Sequence, residues 1–460
     1  MESPFSFEPL LLFCFLCLML LAGVVLRANV AVLQRMLFPG CLIGGVLGLI
    51  LVSTGLVEAS TSTLENLAYH AFNVSFISVG LTPSAPGDRL GTGRARLKGP
   101  VWMALVQAVT FPLQAVIGGL LVVLLGLAGL ELFPTFGFLV PLGFNEGPGQ
   151  ALSLGKVWEG LGFLNAATIG LSFATIGYVF SFFVGVPLVN FGLRSGWSGQ
   201  AQTALPRAFL RGIFARGEQG PSAGTLTLHS GNTDTLAFQV ALVGLVYLLT
   251  HGLVAFLSGL LPPDAGRILW GFFFFFGLAV ALGVRGCMGL LRVGHVVDPD
   301  VQRRVTGSAV DFLIVTTVTA IQLPVVRDYL LPVSLFALAN GIATTAVVVY
   351  LGKRSGAYAL ERTAAIFGTV TGTVSCGLLL LRIADPEFRT PVALDIAVMN
   401  VFALPVVGGC TVLVNGPLWW GWSTALTVGV FAAIMAAALV LLRFVSGWRE
   451  VEGGAPAEAP

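Results

Sequence analysis

From Val101 to Leu130 the chain runs thirty residues without a charged side chain. A helix needs about 20 apolar residues to cross the hydrocarbon core of a bilayer. This stretch therefore suits lipid and little else. Comparable runs recur near 9–27, 36–56, 67–82, 163–193, 237–262, 268–284, 308–326, 330–351, 391–416 and 421–443. With the first they predict about eleven crossings. Only 10% of the residues are charged, against about 25% in an ordinary soluble domain. An all-α polytopic membrane protein is the expected fold class.

The remaining composition excludes more than it identifies. A net charge of +2 gives no reason to expect a nucleic-acid partner. The 58 glycines and 24 prolines suit membrane helices, which carry more of both than soluble ones. Cys14 and Cys17 have the spacing of a metal or redox pair. No second pair and no histidine lies near them in the sequence, so small apolar-run residues are the better reading. No Lys or Arg precedes the first apolar run, which predicts a membrane helix and not a cleaved signal.

Basic residues set an expected orientation. With the N-terminus outside, the inner loops hold Arg27, Arg35, Arg89, Arg94, Arg96, Lys98, Arg194, Arg207, Arg211 and Arg216 in the first half. In the second half they hold Arg285, Arg292, Arg303, Arg304, Lys353, Arg354, Arg362, Arg382, Arg389, Arg443 and Arg449. Lys156, Arg267 and Arg327 stay outside. That asymmetry is the positive-inside pattern. It predicts a multi-pass protein of a bacterial inner membrane with a cytoplasmic C-terminus.

Two apolar segments, 134–156 and 363–381, are interrupted by Gly, Pro, Thr, Ser or a Glu. Each is expected to be re-entrant or a broken helix. Each stands just before the last crossing of a half, so the chain divides into matching parts. Residues 1–193 form a first repeat, 194–236 a cytoplasmic linker and 237–416 a second repeat. Residues 417–445 add one extra C-terminal helix, and 446–460 form a disordered tail. Within the linker, Arg207–Arg216 is expected to form a short surface helix. Five transmembrane helices plus one interrupted segment per repeat invert the second copy against the first, an organisation common in secondary transporters.

The interruptions carry the chemistry. Unpaired backbone groups in hydrocarbon cost several kcal/mol each, so a broken helix must face protein or a wet cavity. The helix N-termini it creates offer free N–H groups to an anion, and its freed carbonyls suit a cation. The segment Phe144-Asn-Glu-Gly-Pro-Gly-Gln-Ala-Leu-Ser153 answers Phe367-Gly-Thr-Val-Thr-Gly-Thr-Val-Ser-Cys376 in position. Candidate substrate- or ion-binding residues are Asn145, Glu146, Gly147, Gly149 and Gln150 in the first, and Thr371, Gly372, Thr373 and Ser375 in the second. Asn165 and Thr168 join them from the crossing after the first break, Asp395 and Asn400 from the crossing after the second. Glu146 and Asp395 are the candidate sodium ligands, with no other cofactor expected.

Each candidate has a plainer alternative. Glu146 would be merely solvated if its segment lay at the outer interface. Asp395 would be an interfacial partner of Arg389. Hydroxyls such as Thr168 often bond their own helix backbone. Ser75, Ser78 and Thr82, and Thr316, Thr317, Thr319 and Gln322, either face a cavity or glue helices together. His251 fits a helix interface better than a proton relay, and Asp311 reads as interfacial.

These stretches resemble the bacterial sodium/glutamate symporter family. Phe144 to Ala151 stands where the family reads Gly-Gly-His-Gly-Thr-Gly-Ala-Ala. Phe163-Leu-Asn-Ala166 and Ala174-Thr-Ile-Gly177 are similar to its Phe-Thr-Asn-Ala and Ala-Thr-Phe-Gly. Phe38-Pro-Gly-Cys-Leu-Ile-Gly-Gly45 and Phe76-Ile-Ser-Val-Gly-Leu81 resemble its Ile-Pro-Glu-Pro-Val-Ala-Gly-Gly and Phe-Ala-Thr-Ile-Gly-Leu. The resemblance implies a homodimeric sodium-coupled symporter of glutamate or a related small organic anion, with a static scaffold and a moving core. It also implies that each broken segment contributes to the substrate and sodium sites. The chain departs from the pattern at Glu146, where the family has His, and at Ile366–Gly372, which has fewer glycines. Other readings are a transporter of this architecture with another solute and proton coupling, a passive channel, or a membrane-embedded enzyme. For the last, no HExxH, GxSxG or paired-aspartate motif appears.

Overall fold

The computed structural model describes residues 7–83, 94–197, 206–218, 220, 222–261, 266, 269–385 and 390–446. Arg89, Arg267, Arg389, Arg449 and the tail beyond 446 lie outside the described residues, as do the side chains of Arg94 and Arg96. Among the described residues the secondary structure is helical, with no strand.

Helices run α1 (Glu8–Asn29), α2 (Ala31–Arg35), α3 (Gly40–Ser53), α4 (Thr61–Leu81) and α5 (Arg94–Leu127). The first interrupted segment gives α6 (Leu139–Phe144) and α7 (Pro148–Glu159), then come α8 (Ala166–Phe183) and α9 (Gly185–Arg194). The linker holds α10 (Arg207–Arg211). The second half runs α11 (Thr235–Gly259), α12 (Phe273–Leu290), α13 (Pro299–Thr319), α14 (Leu323–Asp328) and α15 (Leu330–Gly352). Its interrupted segment gives α16 (Ala359–Thr371) and α17 (Val374–Ala384). Last are α18 (Val392–Leu413), α19 (Gly416–Trp419) and α20 (Thr424–Ser446).

Among the described residues eight helices are long and apolar enough to cross a membrane: α1, α5, α8 with α9, α11, α12, α15, α18 and α20. This is a polytopic membrane protein. Three of the expected crossings are not among the eight. α3 has only 14 residues. α4 and α13 are long enough, but α4 buries Glu65, Asn73 and Ser78 and α13 buries Gln302 and several threonines. These two helices pack on each other, with α3 against α13 and α12 against α4. α13 also starts nine residues before the expected 308. Asp298 caps it by accepting from the Val301 amide at 2.8 Å, and Pro299 opens its first turn.

The packing forms two groups. In one, α4 and α13 cross at the centre, with α3 and α1 on α13 and with α12 and α11 on α4. Small residues allow the approach: a Cβ on Gly44 would stand 2.4 Å from the Met19 carbonyl oxygen, and one on Gly48 would stand 2.3 Å from Thr319 Oγ1. The other group is built on α5, which packs along α20 and touches α18, α15, α6 and α16. Principal contacts between the groups run through α7 to α4 and α13, and through α8 to α13.

Candidate functional site

Both interrupted segments fold back on themselves as helical hairpins. In the first, α6 and α7 lie on α8, and their outer ends meet at Phe163. The Phe133 ring stacks on Phe163 at 4.5 Å between centroids, and Trp158 lies 6.3 Å from it. The chain therefore enters and leaves at one end, with 145–147 as the tip. In the second, α17 folds back on α16. A Cβ on Gly377 would lie 2.3 Å from the Ala365 carbonyl oxygen, and one on Gly368 2.6 Å from the Gly377 nitrogen. Its tip is 372–373.

The hairpins come from opposite ends of the molecule. α18 is the ruler, about 33 Å long by its 22 residues. At its first turn Asp395 pairs with Arg362, near the start of α16, at 3.3 Å. Just past its other end Asn415 accepts from Trp158 Nε1, near the end of α7, at 2.7 Å. The tips then meet between these ends. A Cβ on Gly147 would stand 3.1 Å from Thr373 Cγ2 and 3.4 Å from the Gly372 carbonyl oxygen. The N-termini of α7 and α17, with their unpaired N–H groups, converge there.

Local sequence explains each tip. Gly147 has φ +88 and ψ −175, a conformation open to glycine, and Pro148 starts α7 where its missing N–H costs nothing. Thr373 is extended, at φ −151 and ψ 170, whereas Gly372, at φ −152 and ψ −96, is neither helical nor extended. One stripe of α5 holds both tips. Gln107 Nε2 donates to Asn145 Oδ1 at 3.1 Å, and Asn145 Nδ2 donates to Thr110 Oγ1 at 3.1 Å. One turn on, Gln114 Nε2 donates to the freed Val370 carbonyl and to Thr344 Oγ1 on α15, both at 3.1 Å. Four buried amide oxygens near the tips have no hydrogen-bond partner: those of Gln107, Gln114, Gln150 and Asn340.

A cavity of about 400 Å³ opens from the second tip. Thr373, Ser375 and Cys376 form its wall with Tyr178 of α8, Cys41 of α3, Asp311 of α13 and Arg382 of α17.

The expected site residues divide between this centre and elsewhere. Asn145, Glu146, Gly147, Gly372 and Thr373 form the two tips, and Ser375 faces the cavity. Gln150 follows Glu146 by one turn and approaches its carboxylate. Gly149 holds α7 against α4, since a Cβ there would overlap the Phe72 ring at 2.1 Å. Thr371 spends its hydroxyl on Ser181 Oγ and on the Phe367 carbonyl, each at 2.7 Å. Thr168 accepts from Gln322 Nε2 at 3.3 Å on α8.

Four candidates lie away from the tips, Thr168 in the first turn of α8 among them. Asn165 precedes α8 near the base of the first hairpin, in the left-handed region at φ +63. Asp395 is bound to Arg362 at the base of the second. Asn400 is exposed and donates to the Ile396 carbonyl of its own helix at 3.3 Å. Ser78 and Gln302 bond across α4 and α13 at 2.6 Å, the helix-gluing role. His251 is exposed beside Trp270. Asp311, expected at an interface, is exposed and lines the cavity, and so does Arg382, which sequence places only as a loop charge. The α5 stripe went unnoticed, although Gln107, Thr110 and Gln114 follow helical spacing within an apolar run.

No family model matches the chain, and no curated protein matches it at a significant level.

Proposed function

We propose that the chain is a secondary active transporter, a sodium-coupled symporter of glutamate or a related small organic anion. Contact between two hairpin tips deep among the membrane helices carries this reading. Such an arrangement sets free N–H groups and carbonyls around one point. The partnerless amide oxygens beside the tips are the kind of hard donor that a dehydrated cation takes up. The cavity reaching the second tip gives a solute a route to it.

The two halves are inverted repeats in this proposal. α1 packs on α3 as α11 does on α12; α3 packs on α13 as α12 does on α4; α5 touches α6 as α15 touches α16. The α4–α13 group is the scaffold, and the α5 group is the core that moves in an elevator-like fashion. Arg27 and Arg211 on the linker side, Arg382 and Arg362 gather at the Asp395 end of α18. That end is cytoplasmic by the positive-inside rule.

Uptake into proteoliposomes under an imposed sodium gradient tests the proposal. Sodium-driven accumulation of an amino acid or carboxylate is expected. Gradient-indifferent leak or product formation sinks it. A second reading, proton coupling, is favoured by Glu146, a carboxyl group placed at the first tip. Under that reading Glu146→Gln abolishes the pH dependence of uptake. Under sodium coupling through Glu146 the variant loses sodium dependence instead.

A further inference from the structure

The linker segment 207–216 has no part in the proposed transport site. Its helix, α10, is stapled to the end of α1. Arg27 donates from Nη2 to the Phe209 carbonyl at 3.1 Å and from Nε to the Leu210 carbonyl at 3.4 Å. Arg211 Nε donates in return to the Ala28 carbonyl at 3.3 Å. Phe209 and Leu210, half-buried, pack against the core. Gly212 then ends the helix in the left-handed region, at φ +75. Beyond that turn the apolar side chains are uncovered: Ile213 is 40% exposed and Phe214 56%.

Basic residues surround this pair. Arg207, Arg211 and Arg216 are exposed, and so is Arg35 of α2, a helix that α10 touches. Glu218 follows in the segment, and its Oε2 accepts from the Ala215 amide at 3.0 Å. The sequence has no acid between Glu8 and Glu58, so α1, α2 and α3 offer the arginines no carboxylate. Leu21 and Val25 of α1 and Val32 of α2 are exposed as well. On a helix that crosses the membrane such a face meets acyl chains. The segment therefore lies where α1 leaves the bilayer.

We propose that residues 207–216 are a docking surface for the anionic phospholipids of the surrounding bilayer. Ile213 and Phe214 sit at the boundary between headgroups and acyl chains, and the arginines pair with lipid phosphates. An apolar pair set among arginines is the composition of an interfacial anchor, and the guanidinium fork matches phosphate oxygens. A free phosphate would satisfy the arginines but leave Ile213 and Phe214 in water.

Phe214→Trp puts a reporter on this surface, and Ile213→Trp repeats the measurement should the first variant fail to fold. In phosphatidylcholine nanodiscs, brominated phosphatidylglycerol and brominated phosphatidylcholine are compared as quenchers at one small mole fraction, with the emission of the parent protein subtracted. A basic residue near an anionic surface is worth about a fivefold gain in binding, so the anionic quencher is expected to act about threefold more strongly. High salt is expected to lower that preference. Arg207→Gln with Arg216→Gln is expected to bring the two quenchers towards equality, while Arg27 and Arg211 still hold α10 in place. Equal quenching in the parent background overturns the proposal. So does quenching by neither lipid, and so does a preference that the double variant leaves intact. Both leaflets of a nanodisc have one composition, so the result is independent of orientation and of uptake. Sodium-driven uptake without the preference sinks this proposal alone, and the preference without uptake leaves it standing while the transporter reading falls.

Discussion

At the scale of single residues, Gly147 is the tightest constraint on the site. Its φ of +88 with ψ near 180° is a region kept almost wholly for glycine, and a non-glycine residue there costs about 1–3 kcal/mol. The methyl of Gly147→Ala would also stand 3.1 Å from Thr373 Cγ2 on the facing tip. Gly147→Ala is therefore expected to lower the thermal midpoint and to cut uptake more than it lowers stability, because it pushes the tips apart. A control at Gly162, also at positive φ (+98) but with open space around it, should lower the midpoint without the added loss of uptake. Equal uptake losses at both positions would mean that the tip contact has no part in transport.

Among elements, α5 is the clamp for both hairpins. Gln114→Leu removes a donor to the Val370 carbonyl and a partner of Thr344. A buried polar group left without its partner costs about 1–3 kcal/mol, and that loss should appear as a lower midpoint. Gln107→Leu leaves Asn145 one partner, Thr110, and should cost less. A larger effect at Gln107 than at Gln114 would contradict this ordering. The first hairpin was legible in sequence because Gly147, Pro148 and Gly149 interrupt an apolar run and leave no continuous helix. The second was legible by its matching place alone, since its tip carries one glycine, Gly372, and no proline. What could not be read was direction. Sequence puts Asp395 and Asn400 in the right helix, but whether they face a tip, Arg362 or the exterior depends on how α18 is turned by its packing. Asp311 and Arg382 were hidden for the same reason. A charge near the end of an apolar run reveals no cavity until the helices beside it are placed.

For the whole molecule, the division into two groups makes the strongest mechanical claim. If the α4–α13 group is static and the α5 group moves, a covalent tie inside one group is harmless and a tie between groups is not. Gly48 and Thr319 lie within the first group, where a Cβ on Gly48 would stand 3.3 Å from Thr319 Cβ, close to disulfide range. Phe72 and Gly149 join the groups, α4 to α7, and are in direct contact. The double variant Gly48→Cys with Thr319→Cys should keep uptake whether oxidised or reduced. Phe72→Cys with Gly149→Cys should lose uptake on oxidation and recover it with reductant, because α7 must slide on α4 for the first hairpin to undock. The recovery distinguishes a blocked movement from damage done by the substitutions. Full uptake by the oxidised Phe72–Gly149 pair would show that the hairpin stays docked throughout the cycle. Solute would then have to pass without relative motion of the two groups, as it does through a channel.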